Sequence, residues 1–475
     1  MKVPALFFRP DNENGAMIKA SFYRWHVVIL LLLVFILSYF DRFILSLLVE
    51  PIKTSLHLTD FQIGLLLGPA FSLFNVAAAL PLGWYADRSN RKYLLIAGII
   101  LWCSMTASSG FVVTFLPLFL LRLGLGLGEA VVSPASISII SDYFGRKERA
   151  RAISVYCAGT YLGAGLAFLV GGNIVGWLEG KGQVHILSMG PFEPWQAAFV
   201  IVGAPGILLA LALFSIREPS RGEQLALPAT DAPPIGITRY ILARWRGFGV
   251  LFVGSTCNYA MSTLTFWNVP LFQRVWNWDV ASVGTVTGLL YFTAGPIGTA
   301  VAVWAVRKFT HRYPDDGAMR TLLLGLLIGI PASALYPIMP SPQLAVLLMF
   351  VAFIGKSVAT AAGPASLALI TPGNLRARGV AVFNTVIALL GPLLGPPLIG
   401  WIVDSTGNPR TVGMVMAGFV ACIGIPAILV VATGLGQYRR THAALAEELA
   451  RADAAAAGEI AGPETVPATP RLALS

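Results

Sequence analysis

Apolar residues in this chain fall into long blocks separated by short polar stretches. Blocks of about 20 residues have the length at which a helix crosses the hydrocarbon layer of a bilayer. Such blocks lie at 25–48, 61–85, 93–113, 115–140, 150–178, 195–216, 247–272, 281–306, 320–338, 343–370, 377–403 and 411–435. The pattern predicts an all-α membrane protein with twelve transmembrane helices in two six-helix bundles. Its units are a cytoplasmic N-terminal segment (1–24), a first bundle (25–216), a cytoplasmic linker (217–246), a second bundle (247–435) and a cytoplasmic tail (436–475). The tail is expected to be largely disordered, with a short surface helix over 438–457. The first 24 residues lack the arrangement of a cleavable signal peptide, and the first block is long enough to stay in the membrane.

Composition and charge placement sharpen this picture. Hydrophobic residues make up 56% of the chain and charged residues 12%, and the mean hydropathy is +0.73, too apolar for a soluble protein of this length. A net charge of +10 alone would fit a nucleic-acid partner, so the location of the cations decides. With the N-terminus cytoplasmic, the outer loops hold only Lys53, Lys181, Arg274 and Arg410, and Arg42, Arg122 and Lys356 lie inside blocks. Every other Lys and Arg then falls on the cytoplasmic side, which is the positive-inside bias of a multi-pass protein of the plasma membrane, or of the inner membrane in a bacterium. No nucleic acid is implied.

Enzyme and cofactor chemistry find little support. The four cysteines all sit in apolar blocks without CxxC spacing, the five histidines form no HExxH pattern, and no GxxxxGK[ST] loop occurs. The alternate glycines of GLGLGE, from Gly124, lie inside a block, where they favour close helix packing. No metal, cofactor or catalytic residue is expected.

The two halves repeat each other. PASISII at Pro134 returns as PASLALI at Pro364, Arg149-Ala-Arg151 as Arg376-Ala-Arg378, and Gly176-Trp177 as Gly400-Trp401. Parallel repeats of this kind belong to two-bundle transporters, whose solute site lies between the bundles near the midplane.

The string GWYADRSNRK, Gly83 to Lys92, resembles the signature loop between helices 2 and 3 of the major facilitator superfamily. Gly83 permits close helix approach, Asp87 can accept from a helix N-terminus, and Arg88, Arg91 and Lys92 can pair with acids beneath the bundle. A cytoplasmic latch is expected here, with Asp142 and Arg149 as partners. The equivalent string VWAVRKF at Val303 has Val306 in place of the acid, so the latch is asymmetric. The plainer alternative is that these cations only obey the positive-inside bias.

Charges inside the blocks narrow the function. Asp41 and Arg42 lie in the first block; Arg122 and Glu129 lie seven residues apart on the fourth, hence on one helix face. Each costs about 2.5 to 3.5 kcal/mol at a helix centre, so each needs a partner or a wet cavity. Arg42 with Glu129 and Arg122 with Asp41 are both feasible pairs. The second half has Ala352 and Ala359 at the matching positions, so the fold does not demand these charges, although a purely structural cluster remains the alternative. Two cations and two carboxylates around one cavity suit proton-coupled movement of an anion. Asp41 and Glu129 are the proton-coupling candidates, with Arg42–Glu129 made and broken during the cycle. Lys356 contacts the solute or snorkels. Tyr161, Asn258, Trp267, Tyr291, Phe383 and Asn384 are further candidates for a cavity with one apolar and one polar side.

SYFDR at Ser38, the run from GLLLGPAF at Gly64 through PLGWYADRSNRK, RLGLGLGEA at Arg122 and SDYFGRKERARA at Ser141 together resemble the spinster family of lipid transporters. The resemblance covers the first six blocks well and the second half weakly. It implies a twelve-helix carrier for lysophospholipids or sphingosine-phosphate-like lipids, often proton-linked, with functional positions mapping onto Asp41, Arg42, Arg122 and Glu129. The chain departs from the family at Ser38, where Asn is common, and from the superfamily at Asn90, where Gly is usual. The expected function is secondary transport of an amphipathic anionic lipid by alternating access, with protons and membrane lipids as the other partners. The alternatives are a small organic-anion:proton symporter and a non-transporting receptor or scaffold.

Overall fold

The computed structural model describes residues 11–86, 88–185, 191–219 and 236–460. The first half comprises α1 (Asp11–Leu47), the short α2 (Val49–Ser55), α3 (Asp60–Leu67) and α4 (Pro69–Ala86), α5 (Arg91–Ser109), α6 (Phe115–Glu129) and α7 (Val132–Tyr143), α8 (Arg146–Cys157) and α9 (Gly159–Glu179), and α10 (Pro194–Leu213). A two-stranded antiparallel hairpin, β1 (Val184–His185) with β2 (Pro191–Phe192), precedes α10. The second half comprises α11 (Ile237–Ala243), α12 (Trp245–Ser262), α13 (Asn268–Trp276), α14 (Val280–Arg312), α15 (Gly317–Leu335), α16 (Pro342–Leu369), α17 (Arg376–Thr406) and α18 (Val412–Ile460).

Among the described residues, eleven helical stretches are long and apolar enough to cross a membrane. The expected seventh span is α12 and α13, interrupted by a 3₁₀ turn over Thr263–Trp267. Such a turn within a span marks a place where the helix tightens and can bend. The helix expected over 438–457 is continuous with the last span and not a separate surface helix: α18 runs on to Ile460, and Tyr438, Thr441 and Leu445 are buried. The Tyr438 hydroxyl donates to the Ser366 carbonyl at 2.6 Å, tying this extension to α16. Residues 461–475 and most of the linker lie outside the described residues.

Local chemistry sets the helix ends. Thr59 and Gln62 form a capping box that starts α3. Asn90, at the position where the superfamily loop usually has Gly, caps α5 by accepting from the Tyr93 N–H at 3.1 Å. Asp279 caps α14, and the Ser282 hydroxyl and main-chain N–H bonded to its carboxylate hold its pKa below the ordinary value.

The chain ends of α1 and α18 share one face, called here the terminal face; the opposite face is the distal one. On the distal side the halves share one hydrophobic core, in which Phe43, Leu66 and Phe168 belong to the same cluster as Leu264, Val283 and Ile399. Toward the terminal face the first half keeps a core of its own, around Val27, Leu31, Ile99, Trp102 and Ile139. Contact between halves on the distal side reaches the backbone. A Cβ placed on Gly64 would lie 2.4 Å from the Pro396 carbonyl oxygen, and one on Gly68 2.0 Å from that of Pro392. Only glycine lets α3 and α17 approach so closely.

Candidate functional site

Between the halves lies a cavity of about 170 Å³. Its first wall comes from α1 (Tyr39, Arg42, Phe43) and from Leu67, Phe71, Asn75 and their neighbours on the second span. Tyr259, Ser262, Thr263 and Phe266 face them from the interrupted seventh span, with Tyr291 of α14 and Pro392 of α17 beside them. Arg42 is the cation of this lining. Its Nη2 donates to Glu129 Oε2 at 2.8 Å, with 24% of the Arg42 side chain accessible against 1% of Glu129. The guanidinium also lies over Phe71, 4.4 Å from the ring centroid, and over Tyr39 at 5.1 Å. Aromatic faces and one carboxylate thus fix a cation at the cavity wall while leaving it reachable.

Behind Arg42 the other in-span charges are deeply buried. Asp41 is fully enclosed, and neither of its carboxylate oxygens has a hydrogen-bond partner among the described residues. Trp102 and Thr106 stand beside it, with the indole N–H and the hydroxyl short of a formed bond. Arg122 Nη1 donates to the main-chain carbonyl of Asp41 at 2.9 Å, and its guanidinium lies 5.0 Å from the Phe199 ring centroid. The feasible Arg122–Asp41 pair is therefore a side-chain to main-chain contact, with no ion pair to the carboxylate. Gly126 brings the fourth span against the second: a Cβ there would meet the Phe71 carbonyl oxygen at 2.3 Å. The close-packing role expected for these glycines holds at Gly126. The Asn75 amide donates to the Gly126 carbonyl at 3.2 Å, joining cavity wall and ion pair.

Other candidates divide. Tyr291 lines the cavity. Tyr161 shares a 2.8 Å hydrogen bond with Thr299 and joins the halves. The Asn258 amide donates to the Lys356 carbonyl at 3.3 Å and to the Thr360 hydroxyl at 2.8 Å, inside the second half. Lys356 is buried, its ammonium 4.3 Å from the Phe353 ring centroid and in no ion pair among the described residues. Trp267 is fully buried and donates to the Pro396 carbonyl at 3.3 Å, so it braces the seventh span against α17 away from the cavity. Phe383 is buried against Phe252, with centroids 5.7 Å apart, and Asn384 is exposed on α17. Tyr39 and the stripe Leu67, Phe71 and Asn75 were not among the candidates. The i, i+4, i+8 spacing of that stripe, on one helical face, is the signal that carries it.

At the loop that begins with Gly83, Arg91 meets Asp142, one of the two expected partners. Asp87 lies outside the described residues, and a Cβ at Gly83 would touch nothing within 4 Å. Arg91 is buried and pairs with Asp142 and with Glu218, the latter at 2.7 Å. Glu218 also accepts from the Lys92 main-chain N–H at 3.0 Å, while the Lys92 ammonium donates to the Phe214 carbonyl at 3.1 Å. Arg88 stacks on Trp84 at 4.0 Å. Arg149 donates to the Phe144 carbonyl. Among the described residues, every ion pair of the terminal face stays within one half.

The distal face carries the pairs that cross between halves. Arg274 of α13 donates to Glu50 at 2.7 Å and to both oxygens of Asp60, at 2.7 and 3.1 Å. Lys53 adds a 2.8 Å contact to Asp60. Asp404 at the end of α17 accepts from the N–H groups of Asp60 and Phe61, at 2.9 and 2.8 Å, so it caps a helix of the other half. The molecule is closed on the distal face, and among the described residues no ion pair bridges the halves on the terminal one.

Removing either member of Arg42–Glu129 strands a buried charge. Arg42→Ala and Glu129→Ala should each cut turnover about ten-fold or more, and the double variant should be no worse than the poorer single. Strictly additive losses in a liposome flux assay would show that the two act separately.

The chain resembles known transporters along most of its length. The crystal structure of a bacterial homologue of the human lysosomal transporter spinster, in an inward-facing and unoccupied conformation, superposes with a TM-score of 0.73 at 27% identity, covering 88% of this chain and 97% of that one. Protein spinster homolog 1 of Homo sapiens is 27% identical, over 80% of this chain and 72% of its own length. A probable L-galactonate transporter of Escherichia coli is 25% identical, over 84% of this chain and 86% of its own. The sequence matches the Major Facilitator Superfamily over residues 31–342 and 251–465. This chain, a multi-pass integral membrane protein with a cavity between two helical halves, belongs to the Major Facilitator Superfamily and is a transporter rather than an enzyme.

Proposed function

We propose that the protein moves an amphipathic anionic lipid, of lysophospholipid or sphingosine-phosphate type, by proton-coupled alternating access. The observation that carries this reading is the cavity wall itself: the reachable Arg42 guanidinium sits among Tyr39, Phe43, Phe71, Phe266 and Tyr291. A phosphate takes the cation while an acyl chain takes the aromatic side. The likeness to spinster homologues supports the same class. Arg42 and Arg122 serve the anion, Lys356 supplies a second buried cation, and Tyr161, Asn258, Phe383 and Trp267 hold the surrounding helices. Asp41 and Glu129 carry the proton, and the Gly83 to Lys92 loop engages the other half when the terminal face closes.

A small organic anion is the second reading. The cavity of about 170 Å³ encloses a headgroup-sized solute and not a whole lipid, and the probable L-galactonate transporter is a relative of similar length. The test is flux in liposomes holding the purified protein, with labelled lysophospholipid and labelled sugar acid offered separately under an imposed pH gradient. Gradient-dependent movement of the lipid alone supports the proposal. Movement of the sugar acid alone establishes the second reading, and saturable binding without flux of either makes the protein a receptor.

A further inference from the structure

On the terminal face, where α11 meets α12 and α18 leaves the bundle, a recess of about 400 Å³ is lined by Arg244, Trp245, Arg246, Gln437, Arg440 and Thr441. It lies in the second half alone, apart from the transport cavity. Among the described residues the charges around it do not cancel. Arg244 is committed: it pairs with Glu448 and lies 4.1 Å from the Tyr240 ring centroid. Arg246 and Arg440 are exposed and join no carboxylate among the described residues; the Arg246 guanidinium lies 5.6 Å from the Trp245 ring centroid. Two described acids of this face are engaged elsewhere, Glu447 with Arg451 and Asp315 with His442.

The apolar residues beside these arginines fix the level of the recess. Trp245 is 63% exposed and Leu242 65% exposed, and both flank cations at the start of a membrane span. An exposed Trp and Leu next to free guanidinium groups is the arrangement of the bilayer interface, with apolar surface toward the acyl chains and charge toward the headgroups. Two planar forks with no acid partner among the described residues match a phosphate diester, and Gln437 adds a neutral donor.

We propose that this recess binds the headgroup phosphate of an anionic phospholipid, which then joins the start of α12 to the extension of α18. The bound lipid is a membrane component held outside the transport path, so the site is independent of which solute the cavity carries.

The test uses the full-length protein in nanodiscs of phosphatidylcholine, with and without phosphatidylglycerol, read by native mass spectrometry and thermal unfolding. Wild type should retain phosphatidylglycerol through delipidation and unfold at a higher temperature in its presence. Arg246→Gln with Arg440→Gln should lower that retention about ten-fold or more, from the loss of two charge-assisted contacts, and should remove the thermal shift. The Arg246→Lys with Arg440→Lys variant, which keeps the charge, should retain part of the binding and serves as the folding control. Equal retention by wild type and the double Gln variant overturns the proposal, as does equal retention of phosphatidylcholine. Inorganic phosphate giving the same thermal shift as the lipid would reassign the recess to a soluble anion and overturn it too.

Discussion

Replacing Asp41 by Asn is expected to abolish solute accumulation driven by a pH gradient while leaving exchange of solute for solute within about two-fold of wild type. The carboxyl is fully buried, and Arg122 spends its contact on the main-chain carbonyl of Asp41. Among the described residues no ion pair or hydrogen bond reaches the Asp41 carboxylate, so both of its oxygens can take a proton. A charge left unpaired in so dry a place is costly, so a proton that arrives and departs there changes the energy of the whole site. Asn keeps the size and removes the titration. Exchange needs only the cavity and the rocking of the halves, which is why it separates coupling from folding. Gradient-driven accumulation by Asp41→Asn at the wild-type level would remove Asp41 from the coupling role.

The second large effect is expected at Arg274. This side chain holds Glu50 and Asp60, two acids of the opposite half, and without it their charges face each other with only Lys53 to balance them. Arg274→Gln should cost the distal-closed state about 2 kcal/mol, after allowing for the partial exposure of Glu50, and so raise the distal-open population about thirty-fold. The readout is labelling by an impermeant thiol reagent at a cysteine placed at Ser262, in a background lacking all four native cysteines, since Cys157 and Cys422 are exposed. Faster labelling from the distal side is the expected result. Identical labelling in wild type and Arg274→Gln would show that the glycine–proline contacts alone hold that face shut.

Much of the transport architecture was legible in the sequence because charge inside an apolar block is conspicuous. Arg42 and Glu129 had to find each other or water, and they meet at 2.8 Å. Aromatic and amide candidates fared worse, since bundle packing and a cavity wall draw on the same residue types. Trp267 and Phe383 are core, and only their neighbours reveal it. The distal lock was missed for a different reason. Glu50, Asp60, Arg274 and Asp404 sit at block ends, where charge reads as solvated, and they come together only through pairing between halves some 200 to 340 residues apart in sequence. Glu218 likewise lies in what reads as a linker, although it is the acid that receives Arg91 and the N–H of Lys92.

The seam in which Gly64 and Gly68 lie against Pro396 and Pro392 has a consequence for the speed of the carrier. Side chains at a joint can slide and repack, giving a shallow, forgiving minimum, whereas main chain pressed on main chain has nothing to rearrange and defines one narrow well. Leaving that well means parting the whole seam at once, so the distal seal behaves as a toll on every cycle that no solute can avoid. A solute that binds both states equally leaves the toll untouched; only one that grips the distal-open arrangement more firmly lowers it. Turnover in such a machine is governed as much by the backbone of a closed door as by the charges in the room behind it.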